Sequence, residues 1–363
     1  MKTLVLVGGG HAHLHCLEQL KDGFSEDWRV LLISPSPYQY YSGMFSGFTE
    51  GAYSLEDIRI DLKKLCRKVG AIFIEDSIAA VHAQDKELVG AEGKIYLYDL
   101  ASFDIGSRSD IPETARNYVR SIKPNYHFPE QLMQTRESAH PVVVGGGASG
   151  VELAFSILAW RKQQGLPPNL ALFSSTSLLA GQGRSASKKI EDIAVRKNLT
   201  FFSDVSIQEI DEVSVTTSAG KSYPQSDVLW LTGPKSAELF SASNLPTDRD
   251  GFLLVNDTLQ SVQWPEIFGA GDCITIDRYP ELAKNGVYAV RQGPVLWKNL
   301  KNSLSNDKLQ SFAPQKRYVS ILSTGGGEAF LSYGAQQFHG TIPWKLKQRI
   351  DRKFMKRYKD LYE

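Results

Sequence analysis

Apolar-rich runs recur along the chain at residues 3–7, 29–33, 142–144, 169–173 and 227–233. The first is unbroken and β-branched, the signature of a parallel strand buried on both faces. Residues 11–20 follow it with Leu14, Leu17 and Leu20 at helical spacing, and the run at 29–33 completes a βαβ unit. A second strand-turn-helix begins at Pro141 and continues through 151–160. Residues 71–98 read as short strands with turns near Gln84-Asp85 and Glu92-Gly93, a small antiparallel excursion. Gly325-Gly-Gly327 lies between two strand-like runs with no helix after it, which predicts a hairpin turn. In the tail, Leu346, Ile350, Phe354 and Tyr358 repeat at every fourth position behind Trp344, predicting an amphipathic helix over 344–361.

The turns between these elements carry the chemistry. Gly145-x-Gly147-x-x-Gly150 has the spacing of a dinucleotide-binding turn. The first glycine allows the tight bend, the second admits the pyrophosphate, and the third lets helix and strand pack closely. The chain opens with a second copy, Gly8-Gly-Gly10, in which His13 stands at the third glycine position. Neither unit has a carboxylate after its second strand: Ser34 ends one, and Ser174-Ser-Thr-Ser177 ends the other. With Arg184 downstream, the missing acid removes the repulsion that a 2′-phosphate would feel, so NADPH is tolerated. The other reading has these serines only capping the next helix. Gly269-Ala-Gly-Asp272 closes a further strand and presents Asp272 to a ribityl hydroxyl, with the start of a helix at 284–293 beside it. His11, His13 and His15 have no supporting cluster and are read as structural, with no metal expected. The aromatic segment 38–44 packs along a flavin or is an ordinary buried loop; the residues leave both open.

Length and composition narrow the class. A chain of 363 residues suggests about two domains. A hydrophobic content of 42% and a net charge of +1 exclude disorder and a general nucleic-acid binder. Cys16, Cys66 and Cys273 are far apart and odd in number, which excludes a disulfide framework and fits a reducing compartment. With the first strand starting at Lys2 no signal peptide is expected, and residues 141–160 read as strand-turn-helix rather than a membrane span. Residues 341–363 hold eight basic and three acidic side chains. A basic amphipathic helix with a Trp at its start suits an anionic bilayer surface; its alternative is a helix packed on its own domain with a solvated basic face. The expectation is a cytoplasmic protein, held at the cytoplasmic face of a membrane by residues 344–361.

Two fingerprints, the strand at 227–233 and Gly269-Ala-Gly-Asp272 occur in the order found in two-dinucleotide-binding flavoproteins. The chain resembles the pyridine nucleotide-disulfide oxidoreductase superfamily, near type II NADH dehydrogenases. Val7-Gly-Gly-Gly-His-Ala-His13, Tyr41-Ser-Gly-Met44, the segment 284–293 and the tail resemble a subgroup sometimes fused ahead of selenide, water dikinase. The resemblance implies an α/β fold of two Rossmann-like domains, the NAD(P) domain inserted in a split FAD domain, with a C-terminal hairpin and amphipathic helix. The expected divisions are 1–116 and 236–312 for FAD, 117–235 for NAD(P)H, and 313–363 for the C-terminal region.

Carried over by position, the resemblance implies that Gly8, Gly10 and Asp272 meet FAD and that Gly145, Gly147 and Gly150 meet NAD(P)H. His11, Ser34, Gly106, Ser149, Glu152, Ser174, Gly233, Gly271, Lys284 and Val287 complete the cofactor-binding set. Lys284 would tune the reduced flavin and Glu152 would lie near the nicotinamide, making these two the catalytic candidates. The implied reaction passes hydride from NAD(P)H to FAD and two electrons on to an acceptor, a quinone or other small molecule. Cys66 stands alone after the first unit and Cys273 alone in the later half, so dithiol chemistry is not expected. Of a double-Gln quinone motif only Gln292 remains. A soluble acidic carrier or a selenium compound is the alternative acceptor, and a non-catalytic flavin-binding redox sensor the alternative class. Oligomeric state is open, a homodimer included.

Overall fold

In the computed structural model, which describes residues 1–23 and 25–363, the first fingerprint sits in a five-stranded parallel sheet. β1 (Lys2–Val7) turns through the glycines into α1 (His11–Leu20), and β2 (Trp28–Ser34) returns alongside β1. β3 (Ile72–Glu75) adds to β2, and β4 (Leu100–Phe103) pairs with the other edge of β1. The fifth strand, Ile267–Gly269, joins β4 only after the second sheet has been built. Residues 72–75 therefore belong to the parallel sheet and not to the antiparallel excursion expected there. The excursion itself is the three strands Ile78–His82, Glu87–Gly90 and Ile95–Leu97.

The second sheet repeats this plan. β5 (Val119–Arg120) forms its edge, then β6 (Pro141–Val144) leads into α2 (Ala148–Gln163). β7 (Ala171–Phe173), β8 (Thr200–Phe202) and β9 (Asp227–Trp230) complete the parallel order β5-β9-β6-β7-β8. With the fifth strand labelled β10 (Ile267–Gly269), the first sheet reads β10-β4-β1-β2-β3. The two orders correspond strand for strand, and each repeat carries a three-stranded antiparallel insert just before the strand, β4 or β9, that pairs beside its fingerprint strand. The run expected at 227–233 is a strand of the second sheet. The return to the first is made by Pro234–Lys235, paired antiparallel with Arg108–Ser109.

Close approach explains the glycines. Gly8 and Gly145 both have positive φ, and a Cβ on either would lie about 2.5 Å from a carbonyl oxygen of the neighbouring strand end, Asp104 O at 2.4 Å and Leu231 O at 2.5 Å. Such contacts hold each glycine turn against the end of the strand paired beside it, β4 or β9, at the C-terminal sheet edge, where ligands bind in this architecture.

After β10 comes α3 (Gly286–Ser305), then an antiparallel meander of β11 (Ser320–Gly325), β12 (Glu328–Tyr333) and β13 (Gln336–Gly340). Gly325, Gly326 and Gly327 all have positive φ and make the expected hairpin turn. α4 (Thr341–Lys359) is helical as expected, and its apolar stripe is divided between two faces. Leu346 and Ile350 are 41% and 47% exposed, while Trp344, Lys347, Asp351, Met355 and Tyr358 face inward. The buried face joins Trp344, Met355 and Tyr358 to Lys347 and Asp351, which lie one helical turn apart and pair at 3.1 Å, so neither charge is buried alone.

Candidate functional site: a cleft joining the two fingerprints

The C-terminal edges of both sheets open into one cleft of about 950 Å³. Gly8, Gly10, His11, Ser34, Gly106, Asp272 and Lys284 line one part of it, and Gly145, Gly147, Ser149, Ser174 and Gly233 another. Gly106, Gly147 and Gly233 have open space where a Cβ would be, a groove that backbone alone borders. At α2 the first turn is free: Gly147 caps it without a side chain, and Gly147, Ala148 and Ser149 are exposed. Those N–H groups and the helix dipole form a ready phosphate site. Gly150 does not border the cleft; a Cβ there would stand 1.8 Å from Gly145 O, so its role is the packing one.

The first unit is arranged differently. Asp104, at the end of β4, is 3% exposed, and its Oδ2 accepts the N–H groups of Ala12 at 2.8 Å and His13 at 3.2 Å. Burial pushes its carboxyl up to about 7, those two hydrogen bonds oppose the rise, and Asp272 adds to it. Asp272 pairs with Lys123 at 3.5 Å, and Lys123 also donates to Ser107 Oγ at 2.6 Å. The Gly271 N–H donates to Gln292 Oε1 at 2.6 Å, so the amide of α3 braces the glycine-aspartate turn. Asn285 caps α3, accepting from Val287 and Tyr288 N–H at 3.1 and 3.2 Å.

The three histidines go to three places. His13 is fully buried, its Nδ1 on Gly8 O at 2.7 Å and its Nε2 on Ser102 Oγ at 2.8 Å. His15 touches Arg357, which also binds Glu18. His11 borders the cleft beside the stacked rings of Tyr41 and Phe354, with centroids 5.6 and 5.5 Å away. Its Nε2 is buried without a hydrogen-bond partner among the described residues, and burial lowers its pKa to about 4, so the ring is neutral. An orphaned nitrogen, a backbone-bordered groove and an open helix N-terminus fit an extended dinucleotide on each side of the cleft.

Two catalytic candidates are oriented elsewhere. The Lys284 ammonium donates to Ile274 O and to Thr275 Oγ1 at 2.7 Å, over the Phe252 ring, so its charge is directed at the chain. Glu152 does not border the cleft, and neither does Val287. Glu152 Oε1 accepts from Ser46 Oγ and the Ser323 N–H, both at 2.8 Å, and lies 3.7 Å from Lys347 Nζ. Lys347 also donates to Gly43 O. Burial works against its charge, but Glu152 and Asp351 raise its pKa, while burial pushes Asp351 up to about 6 against the pull of Lys347. α2, the short helical segment at 42–50, β11 and α4 thus meet on one buried ion cluster.

Sequence reasoning missed Asp104, Lys123 and this cluster. The opposite charges of Lys347 and Asp351 at helical spacing were a signal that the apolar stripe overshadowed. Asp104 had one too, a lone acid ending an apolar strand just before Gly106.

The sequence model of the pyridine nucleotide-disulphide oxidoreductases matches residues 2–293. Ferroptosis suppressor protein 1 of Xenopus tropicalis is 23% identical over 93% of this chain and 88% of its own. Among solved structures, the sulfide:quinone oxidoreductase of Aquifex aeolicus superposes with a TM-score of 0.83 at 20% identity, covering 99% of this chain and 92% of that one. NDH2 of Plasmodium falciparum in complex with NADH gives 0.81 at 14% identity, covering 98% of each. With its repeated parallel sheets and the cleft between their glycine turns, the chain belongs to the pyridine nucleotide-disulphide oxidoreductases and is an FAD-dependent protein that takes NAD(P)H.

Proposed function

We propose that the protein is an NAD(P)H dehydrogenase that delivers two electrons to a quinone at a membrane surface. The observation that carries this reading is the continuity of the cleft, which borders both fingerprints and is lined beside the first by His11, Tyr38, Tyr40 and Tyr126. Bound FAD supplies the two-electron relay between nucleotide and acceptor. Gly145, Gly147 and the free first turn of α2 hold the nucleotide pyrophosphate. Ser174, Ser175 and Thr176 border its ribose end with no carboxylate, so both NADH and NADPH are accepted. Lys284 contributes positive potential at the start of α3 without leaving its carbonyl and hydroxyl partners. Glu152 acts from outside the cleft, holding Lys347 and the loop that carries Tyr41.

Thiols take no part: Cys16, Cys66 and Cys273 are free and buried, and burial raises the pKa of each, Cys66 to about 12. The similarity to a sulfide:quinone oxidoreductase and the tyrosines that line the cleft, Tyr38, Tyr40 and Tyr126, both favour a quinone ring as acceptor. Among the described residues no helix is long and apolar enough to cross a membrane. Instead Ile342, Leu346 and Ile350 form an exposed apolar row on α4, with Phe338 exposed on β13 and exposed Lys345, Arg349 and Lys353 on the same helix. Apolar side chains among cations suit an anionic bilayer interface better than a soluble acidic carrier, which calls for charge alone.

Steady-state oxidation of NADH and NADPH with and without a short-chain quinone analogue tests the reading. A large stimulation by the quinone is expected. Equal rates with and without it would refute the quinone assignment.

A further inference from the structure

We infer that Asp104 binds FAD as a neutral carboxylic acid, donating a hydrogen bond to the cofactor's pyrophosphate at the first turn of α1. FAD binding alone is at issue here, whichever acceptor receives the electrons. The two fingerprints differ at the point where each would receive phosphate. The first turn of α2 is open, whereas at α1 the Ala12 and His13 N–H groups are already taken by Asp104 Oδ2. The side chain has nowhere to retreat. A Cβ on Gly10 would lie 2.1 Å from its Cγ, and one on Gly271 2.3 Å from its Oδ1. The carboxyl is thus wedged between two glycine backbones at the wall of the cleft.

Oδ1 has no hydrogen bond among the described residues. As a carboxylate, Asp104 would set a negative charge beside the pyrophosphate dianion on the same helix end, a like-charge contact that disfavours binding. As an acid, it keeps Oδ2 as acceptor for both N–H groups and turns Oδ1–H into a donor. The surroundings favour the acid. Asp272 faces it, and its other ionisable neighbours are the thiols of Cys16 and Cys273, which burial keeps protonated. The His13 ring is neutral and engaged by Gly8 O and Ser102 Oγ. The nearby cations are committed, Lys123 to Asp272 and Lys284 to Ile274 O and Thr275. Burial already pushes the Asp104 carboxyl up to about 7, and an arriving pyrophosphate pushes it further. Binding FAD above that pH takes up one proton from solvent, and releasing FAD returns it.

The test dilutes holoenzyme and reads free FAD by its fluorescence between about pH 6 and about pH 9. The dissociation constant should stay nearly level to about pH 7 and then rise toward about tenfold per pH unit. Asp104→Asn supplies the same carbonyl acceptor with an amide donor that cannot ionise. It should remove the pH dependence and hold FAD more tightly than wild type at about pH 9. A wild-type affinity level across the range would overturn the inference. So would an unchanged pH dependence in Asp104→Asn, which would assign the proton to another group such as Asp272 or His11. If the variant does not fold, wild type alone decides: in weak buffer near pH 8, release of one proton per FAD released supports the inference and none overturns it.

Discussion

His13 stands where a dinucleotide turn usually has its third glycine, and the ring earns its space by joining Gly8 O to Ser102 Oγ inside the first repeat. Burial lowers its pKa to about 4, from an unfolded value near 6.5. A base with a depressed folded pKa contributes stability that is present above about pH 6.5 and is lost as pH falls toward about 4, on the order of 3 kcal/mol for one fully buried ring. His11 adds in the same direction. Urea midpoints should therefore fall between about pH 7 and about pH 5, and His13→Gln should flatten that fall while lowering stability at neutral pH. A pH profile unchanged by the substitution would contradict the assignment. The glycines of the second turn separate binding from packing in the same way. Gly147→Ala has open space and should leave the thermal midpoint nearly unchanged while weakening NAD(P)H binding. Gly150→Ala drives a methyl into Gly145 O and should unfold the repeat or cost about 3 kcal/mol or more. Circular dichroism melts and nucleotide titration of both variants distinguish the two roles.

Helix α4 shows how one periodic stripe can serve two faces. Leu346 and Ile350 share their spacing with Phe354 and Tyr358, yet the first two are exposed and the buried face carries Lys347 and Asp351. The spacing of these two charges was a signal of their pairing, but no local pattern shows that Glu152 on α2 lies beside them. Lys347→Met should cost about 3–5 kcal/mol in urea unfolding, because it strands the Glu152 and Asp351 carboxylates inside. A loss below about 1 kcal/mol would mean that the cluster is not held as described. The exposed row predicts the opposite pattern. Leu346→Glu with Ile350→Glu should change stability by less than about 0.5 kcal/mol per site and abolish sedimentation with anionic vesicles. Retained vesicle binding would remove the membrane assignment and return the basic helix to docking a soluble carrier.

Across the whole molecule, the repeated glycine turns were legible because each needs a specific residue at a specific backbone position. Gly8, Gly145 and Gly150 are where neighbouring carbonyls leave no room for a Cβ. The strand run at 227–233 was legible as part of the second unit, whereas its place between β5 and β6 was not, since strand order is a long-range property that no local pattern encodes. The second antiparallel insert was missed for the opposite reason. Its strands at 207–224 are short and half exposed, and they alternate too weakly to stand out. Of the cleft, the backbone parts could be read, while Asp104, Lys123 and the unpartnered His11 nitrogen came from contacts across nearly a hundred or more residues of chain. Together the two repeats present one cleft that borders both fingerprints.

The most direct measurement is anaerobic. The purified holoenzyme receives NADH or NADPH in stoichiometric amount while the flavin absorbance is followed, and a quinone analogue is then added. Bleaching by either nucleotide and full recovery of the oxidised spectrum on adding quinone is the expected result. Flavin that neither nucleotide bleaches, or that stays bleached in the presence of quinone, would contradict electron transfer along the cleft.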